Sequence, residues 1–202
     1  MKRIGLLGGS FNPPHLAHLA LARQARDELR LDEVRLLPAG RPWQKLAEGR
    51  RIVDAPHRVA MLQLLLQGEP GLAIDERELH RAGPSYTLDT VRELAAEVPG
   101  AKLYLVVGQD QYARLHTWHG WQEILQRVTL AVAGRAGQAP RAPVEVAAVA
   151  HDIETLALPP MAVASTDIRE RAARGEDLSS LVGSAVAAYI DQNALYRADP
   201  GS

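Results

Sequence analysis

Two histidines three residues apart, His15 and His18, follow a pair of glycines, Gly8 and Gly9, and a pair of prolines, Pro13 and Pro14. Imidazoles at i and i+3 share one side of a helix's first turn, where unsatisfied N–H groups and the positive dipole end already favour an anion. Adjacent glycines let the backbone turn tightly and approach a ligand with no Cβ in the way, and the prolines exclude helix until His15. These residue types describe an anion site, most naturally one for phosphate. Histidines also bind metals, and His116 and His119 repeat the spacing. Zinc, however, needs three or four ligands and no H-E-x-x-H run is present. A purely structural role, capping and packing the first turn, stays open at this point.

Further along, Ser165-Thr166-Asp167-Ile168-Arg169 offers a second helix start, with Ser165 or Thr166 as the N-cap and Arg169 projecting from the first turn. Asp110 follows the apolar run Leu103 to Val107 and is a candidate acceptor for ribose hydroxyls; it is equally a candidate helix cap. Lys45, in a turn-rich loop with Trp43, is a candidate phosphate contact or a surface lysine.

Apolar runs at 4–7, 34–37, 72–74, 103–107, 128–133 and 153–158 predict strands. Helical spacing at 16–29, 54–67, 88–97, 115–125, 165–174 and 178–190 alternates with them. Such alternation predicts an α/β fold, a Rossmann-like doubly wound parallel sheet in a single domain, joined through right-handed crossovers. In such sheets ligands bind beyond the carboxyl ends of the strands, so the loops after the first, second and fourth strands should share one crevice. Ser85 or Thr87 is expected to cap the helix at 88–97, and the Gly, Pro and Ala-rich stretch 134–150 to run over the surface. The first loop is not G-x-G-x-x-G and no acidic residue ends the second strand, which disfavours a dinucleotide-binding dehydrogenase.

A chain of 202 residues with 47% apolar and 23% charged residues can bury a full core as one domain. The domain is expected over 1–197, with a frayed tail at 198–202. Twenty-three basic against 24 acidic residues leave no excess of positive charge for nucleic acid, so any phosphate affinity must be local. No apolar run approaches the length of a membrane span, and Met1-Lys2-Arg3 leads straight into a short strand, so neither membrane insertion nor export is expected and the cytoplasm is. There is no cysteine, hence no disulfide or thiolate metal site. Oligomeric state is not legible.

Gly9-Ser10-Phe11-Asn12-Pro13-Pro14-His15-Leu16-Ala17-His18 resembles the nucleotidylyltransferase signature G-x-F-x-P-x-H-x-x-H, with Ala17 where that family usually has glycine. Residues 165–169 resemble its second motif, a Ser/Thr-rich helix start carrying a basic residue; Ala164 replaces a serine there. Asp75 to Leu79, Pro84 to Thr90, Gly108-Gln109-Asp110, Thr117-Trp118 and the terminal Leu195-Tyr196-Arg197 are similar, in order and spacing, to the bacterial nicotinate-nucleotide adenylyltransferases. The resemblance implies adenylyl transfer from ATP to nicotinate mononucleotide, giving nicotinate adenine dinucleotide and pyrophosphate, a step of NAD biosynthesis. It implies His15, His18 and Arg169 as catalytic residues. It places ATP at Gly8, Gly9, Ser10, Phe11, His15, His18, Gly108, Asp110, Ser165, Thr166 and Arg169, and the mononucleotide at Lys45, Thr87, Trp118 and His119. Mg²⁺ is expected to arrive on the triphosphate, without a protein cage. A sibling transferase for another phosphate ester and a catalytically silent nucleotide sensor are the alternatives.

Overall fold

The computed structural model describes residues 1–40, 52–134, 139–157, 159, 161 and 163–197. Along them run β1 (Arg3–Gly9), α1 (Leu16–Glu28), β2 (Glu33–Pro38), α2 (Ala55–Leu65), β3 (Leu72–Ile74), α3 (Arg77–His80), α4 (Thr87–Glu97) and β4 (Lys102–Gly108). The second half adds α5 (Gln109–Ala113), a 3₁₀ turn (Leu115–Thr117), α6 (Trp121–Arg127), β5 (Thr129–Ala133), α7 (Val144–Ala147), β6 (Ile153–Leu156), α8 (Ser165–Ala173), α9 (Ser179–Val182) and α10 (Ser184–Gln192). The strands form one parallel sheet in the order β3-β2-β1-β4-β5-β6.

The central strands are buried on both faces. Along β4, Leu103, Leu105 and Val107 enter one core while Tyr104 and Val106 enter the other; along β5, Leu130 and Val132 part from Ala131 and Ala133 in the same way. The period of two in a strand sends successive side chains to opposite faces, so continuous apolar runs demand helices on both. One layer is α1, α2 and the C-terminal helices; the other is α4 and α6 with Tyr112 and Leu115. The chain winds outward from β1 through β2 to β3, then returns to β1's other side as β4. Connections after β1 and β4 therefore leave to opposite faces and open a crevice between them.

Several local expectations are corrected by tertiary contacts. Thr87 is the first residue of α4, whose N-cap is Tyr86, and Ala164 is the N-cap of α8; neither cap residue makes a side-chain capping bond. The hydroxyls of Ser85 and Ser165 are engaged across the fold instead, as set out below. The predicted helix at 115–125 breaks at Gly120, whose φ of 63° is left-handed and where a Cβ would lie 2.3 Å from Leu88. The last helix breaks at Gly183, φ 84°. The stretch 134–150 is not only a surface excursion, because Val146 of α7 is fully buried in the second core. Of the arginines on α1, Arg23 pairs with Glu69, while Arg26 pairs with Asp27 and donates to the Pro70 carbonyl.

Candidate active site

A cleft of about 980 Å³ opens over the carboxyl ends of β1, β2, β4 and β5. The predicted residues Gly8, Gly9, Ser10, His15, His18, Thr87, Gly108, Asp110, Trp118, His119 and Ser165 all line it. Phe11, Thr166 and Arg169 do not, and Lys45 lies outside the described residues.

The loop from Gly8 to His15 is built for close approach on one side and rigidity on the other. A Cβ on Gly8 would meet nothing within 4 Å, whereas one on Gly9 would press within 3.1–3.3 Å of the Phe11 ring. Phe11 is buried in the first core and holds a left-handed φ of 46°, a strained setting for a bulky residue that its packing must hold in place. Its ring meets the edge of His18 at 5.0 Å. Phe11 therefore supports the loop from beneath rather than lining the cleft.

His15, 6% exposed, is the N-cap of α1, and its ring stacks on His18 with centroids 3.7 Å apart. The His15 backbone N–H donates to His18 Nδ1 at 3.2 Å. An imidazole nitrogen that accepts a hydrogen bond carries no proton, so His18 is held as the tautomer protonated on Nε2.

The start of α8 closes on the same loop. Ser165 Oγ donates to the Pro13 carbonyl at 3.1 Å; Arg169 donates to the Asn12 carbonyl at 2.8 Å and to Thr166 Oγ1 at 3.1 Å. Two helix N-termini, of α1 and α8, are thus joined through the signature loop, with a guanidinium held beside it.

Arg58 and Tyr196 complete the loop's support; the sequence did not single out Arg58, and it marked Tyr196 only through the terminal resemblance, with no role. Arg58 is only 2% exposed; it donates to the Ser10 carbonyl at 2.9 Å and to the Val53 carbonyl at 3.0 Å. Burial pushes its pKa down, while the charge of Asp54 opposes that shift. Asn12 Oδ1 accepts from the Tyr196 hydroxyl at 2.9 Å and the Val53 N–H at 3.1 Å. Burial raises the Tyr196 phenol well above its usual range, against the pull of Arg169 and Arg58, so it stays a neutral donor. A signal for Arg58 was present: with Met61, Leu62 and Leu65 it occupies the buried face of α2 at i, i+3, i+4 and i+7.

On the β4 side, Gly108 is the N-cap of α5 and Asp110 lies in its first turn, exposed at the cleft, so the capping alternative for Asp110 falls away. On the β2 side, Trp118 is half-buried, packed against the second core while facing the cleft. His119 stacks on Tyr86 with centroids 4.5 Å apart. No group of three or more His, Cys, Asp or Glu residues that could hold a metal occurs among the described residues, and no described helix is long and apolar enough to cross a membrane.

A model of the cytidylyltransferase-like family matches residues 6–171. A relative from Methylibium petroleiphilum named "Probable nicotinate-nucleotide adenylyltransferase" is 52% identical over 199 residues, covering 96% of this chain and 92% of its own. One of the same name from Bordetella petrii is 51% identical, covering 98% of this chain and 100% of its own. Among solved structures, the Plasmodium falciparum nicotinic acid mononucleotide adenylyltransferase complexed with NaAD superposes with a TM-score of 0.81, covering 97% of this chain and 98% of its own at 15% identity. At that identity the likeness concerns the fold.

Proposed function

This chain belongs to the cytidylyltransferase-like family, and from that premise we infer that it transfers the adenylyl group of ATP to nicotinate mononucleotide, giving nicotinate adenine dinucleotide and pyrophosphate in NAD biosynthesis. The observation that carries this reading is the convergence of two helix N-termini, a stacked histidine pair and a guanidinium on one glycine loop at the sheet's switch point. A triphosphate is the ligand whose charge such a convergence fits.

The 5′-phosphate oxygen of the mononucleotide attacks the α-phosphorus of ATP in line and pyrophosphate leaves, so no protein nucleophile is needed. Catalysis then consists of aligning two substrates and neutralising charge that builds on the leaving group. We assign His15 and His18 to the ATP phosphates; His18, protonated on Nε2, donates there. Arg169 and the α8 N-terminus serve the β and γ phosphates. Arg169 is bound to Asn12 and Thr166, so its charge is pre-positioned beside the loop. Gly8 gives the open approach, and Asp110 accepts from the ribose. Thr87, Trp118 and His119 receive the pyridine end, with Lys45 as a further phosphate contact.

Mg²⁺ is proposed as a passenger of the triphosphate, since this ion keeps several waters and binds largely through substrate phosphates. Bound there, it would spread the negative charge of the phosphates. Its coordination would rest on substrate oxygens, and the residues named above would act without ligating it. The cytoplasm is the compartment proposed for it, and the catalytic domain is taken as 1–197.

The test is pyrophosphate release from ATP and Mg²⁺ with nicotinate and nicotinamide mononucleotides in parallel. Strong preference for nicotinate is expected. Equal use of the two would keep the chemistry and show that Thr87, Trp118 and His119 do not recognise the nicotinate carboxylate, while ATP binding without turnover on either would favour the sensor.

A further inference from the structure

Glu78 is the one carboxylate of the described cleft wall that is buried, at 7% exposure, and the reaction as described does not use it. It sits on α3, a single helical turn between β3 and the Ser85-Tyr86-Thr87 segment. Its Oε1 accepts from the Thr90 hydroxyl at 2.8 Å, and the Ser85 hydroxyl also hydrogen-bonds its carboxylate.

The directions of these bonds are forced by their outer partners. The Gly40 N–H can only donate, and it donates to Ser85 Oγ at 3.0 Å, which leaves the Ser85 proton for Glu78. The Arg81 guanidinium can only donate, and both its terminal nitrogens lie 3.3 Å from Thr90 Oγ1, which leaves the Thr90 proton for Glu78 as well. A side chain that accepts two hydroxyl protons at once needs two free acceptor positions, which a carboxylate offers on either oxygen. Burial pushes the Glu78 carboxyl up, with Asp75 adding to that push; the Thr90 and Ser85 hydroxyls and the Arg81 charge pull it back.

The three groups tied together come from three places: the exit of β2 at Gly40, the turn before α4 at Ser85, and the first turn of α4 at Thr90. Ser85 and Thr90 line the half of the cleft that holds Tyr86, Thr87 and His119, and Gly40 directly follows the lining residue Ala39. Gly40 seals the arrangement, since a Cβ there would lie 2.2 Å from the Glu78 carbonyl oxygen. That contact is with backbone and cannot yield by a side-chain turn.

We propose that Glu78 is a positioning residue for the acceptor substrate: through Ser85 and Thr90 it fixes the Tyr86-Thr87 backbone against the β2 exit and so sets the mononucleotide subsite, leaving the ATP side to the signature loop. The proposal rests on the reaction assigned above and deepens it.

The test is steady-state kinetics with both substrates varied, for the wild-type protein, Glu78→Ala, Glu78→Gln, Ser85→Ala and the double variant Glu78→Gln/Ser85→Ala. Glu78→Ala is expected to raise the mononucleotide KM at least tenfold while the ATP KM stays within about twofold. Glu78→Gln, whose amide oxygen still accepts, should fall between it and wild type. Because Ser85 acts on the same carboxylate, the double variant should cost less than the product of the two single effects. Should Glu78→Ala fail to fold, the Gln and Ser85→Ala cycle decides alone. Parallel rises in both KM values, or strictly multiplicative effects in the cycle, overturn the proposal. A wild-type protein that forms no product overturns the assigned reaction itself, and that is visible before any variant is measured.

Discussion

His18 is held by a backbone N–H on Nδ1 and by two aromatic neighbours, His15 and Phe11, so its ring is set before any substrate arrives. A pre-set donor is most valuable where charge develops, on the phosphate oxygens of the transition state, and less so for ground-state binding. His18→Ala should therefore lower kcat by about 2–4 kcal/mol of barrier with little change in the mononucleotide KM. A kcat within threefold of wild type would take His18 out of the chemistry. The types and spacing of Gly9, Phe11, His15 and His18 made this loop legible in the sequence, because each is demanded locally by a turn, a helix start or an anion. Glu78 was not, and Arg58 showed only as a charged residue on the apolar stripe of α2, with nothing to mark its partners. Nothing in Asp75-Glu76-Arg77-Glu78 marks which charged residue faces the cleft; Asp75 in the same run is also largely covered, and there burial pushes its carboxyl up but the bonds from Arg77 and Arg35 outweigh that and hold it below the usual range.

At the scale of elements, hydrophobic periodicity located the strands and main helices, but helix starts depended on contacts from distant segments. Ser165 is at the α8 start as expected, yet its hydroxyl bonds Pro13, 152 residues away, instead of the helix's own backbone. Ser85 likewise serves Gly40 and Glu78. Breaks at Gly120 and Gly183 need a left-handed backbone, which a glycine permits and the sequence pattern alone does not require. The tail of α10 shows the same dependence: Tyr196, with a left-handed φ of 62°, reaches Asn12 across 184 residues. Tyr196→Phe removes that donor while Asn12 Oδ1 keeps its bond from Val53. The expected loss is about 1 kcal/mol, read as a fall in Tm of about 2–4 °C for a protein of this size. An unchanged Tm would mean that the tie does not hold the C-terminal segment to the signature loop.

At the scale of the molecule, the sheet order places the cleft and the two cores make it rigid. β1 and β4 are central neighbours whose following connections diverge, so the walls of the cleft belong to different layers: α1 and α8 on one side, α4 and the Trp118 turn on the other. A ligand bridging those walls binds only the folded chain, and a ligand with no affinity for the unfolded state stabilises by RT ln(1 + [L]/Kd), about 2.7 kcal/mol at a hundredfold excess over Kd. With each kcal/mol worth about 2–4 °C for a domain of this length, saturating ATP should raise Tm by about 5–10 °C. A non-hydrolysable ATP analogue together with nicotinate mononucleotide should raise it further than either alone, since the proposed assignment puts the two in opposite halves of one cleft. If the pair gives no more than the analogue by itself, the two substrates compete for a single subsite, and the division of the cleft between the signature loop and the Tyr86-Thr87 wall fails.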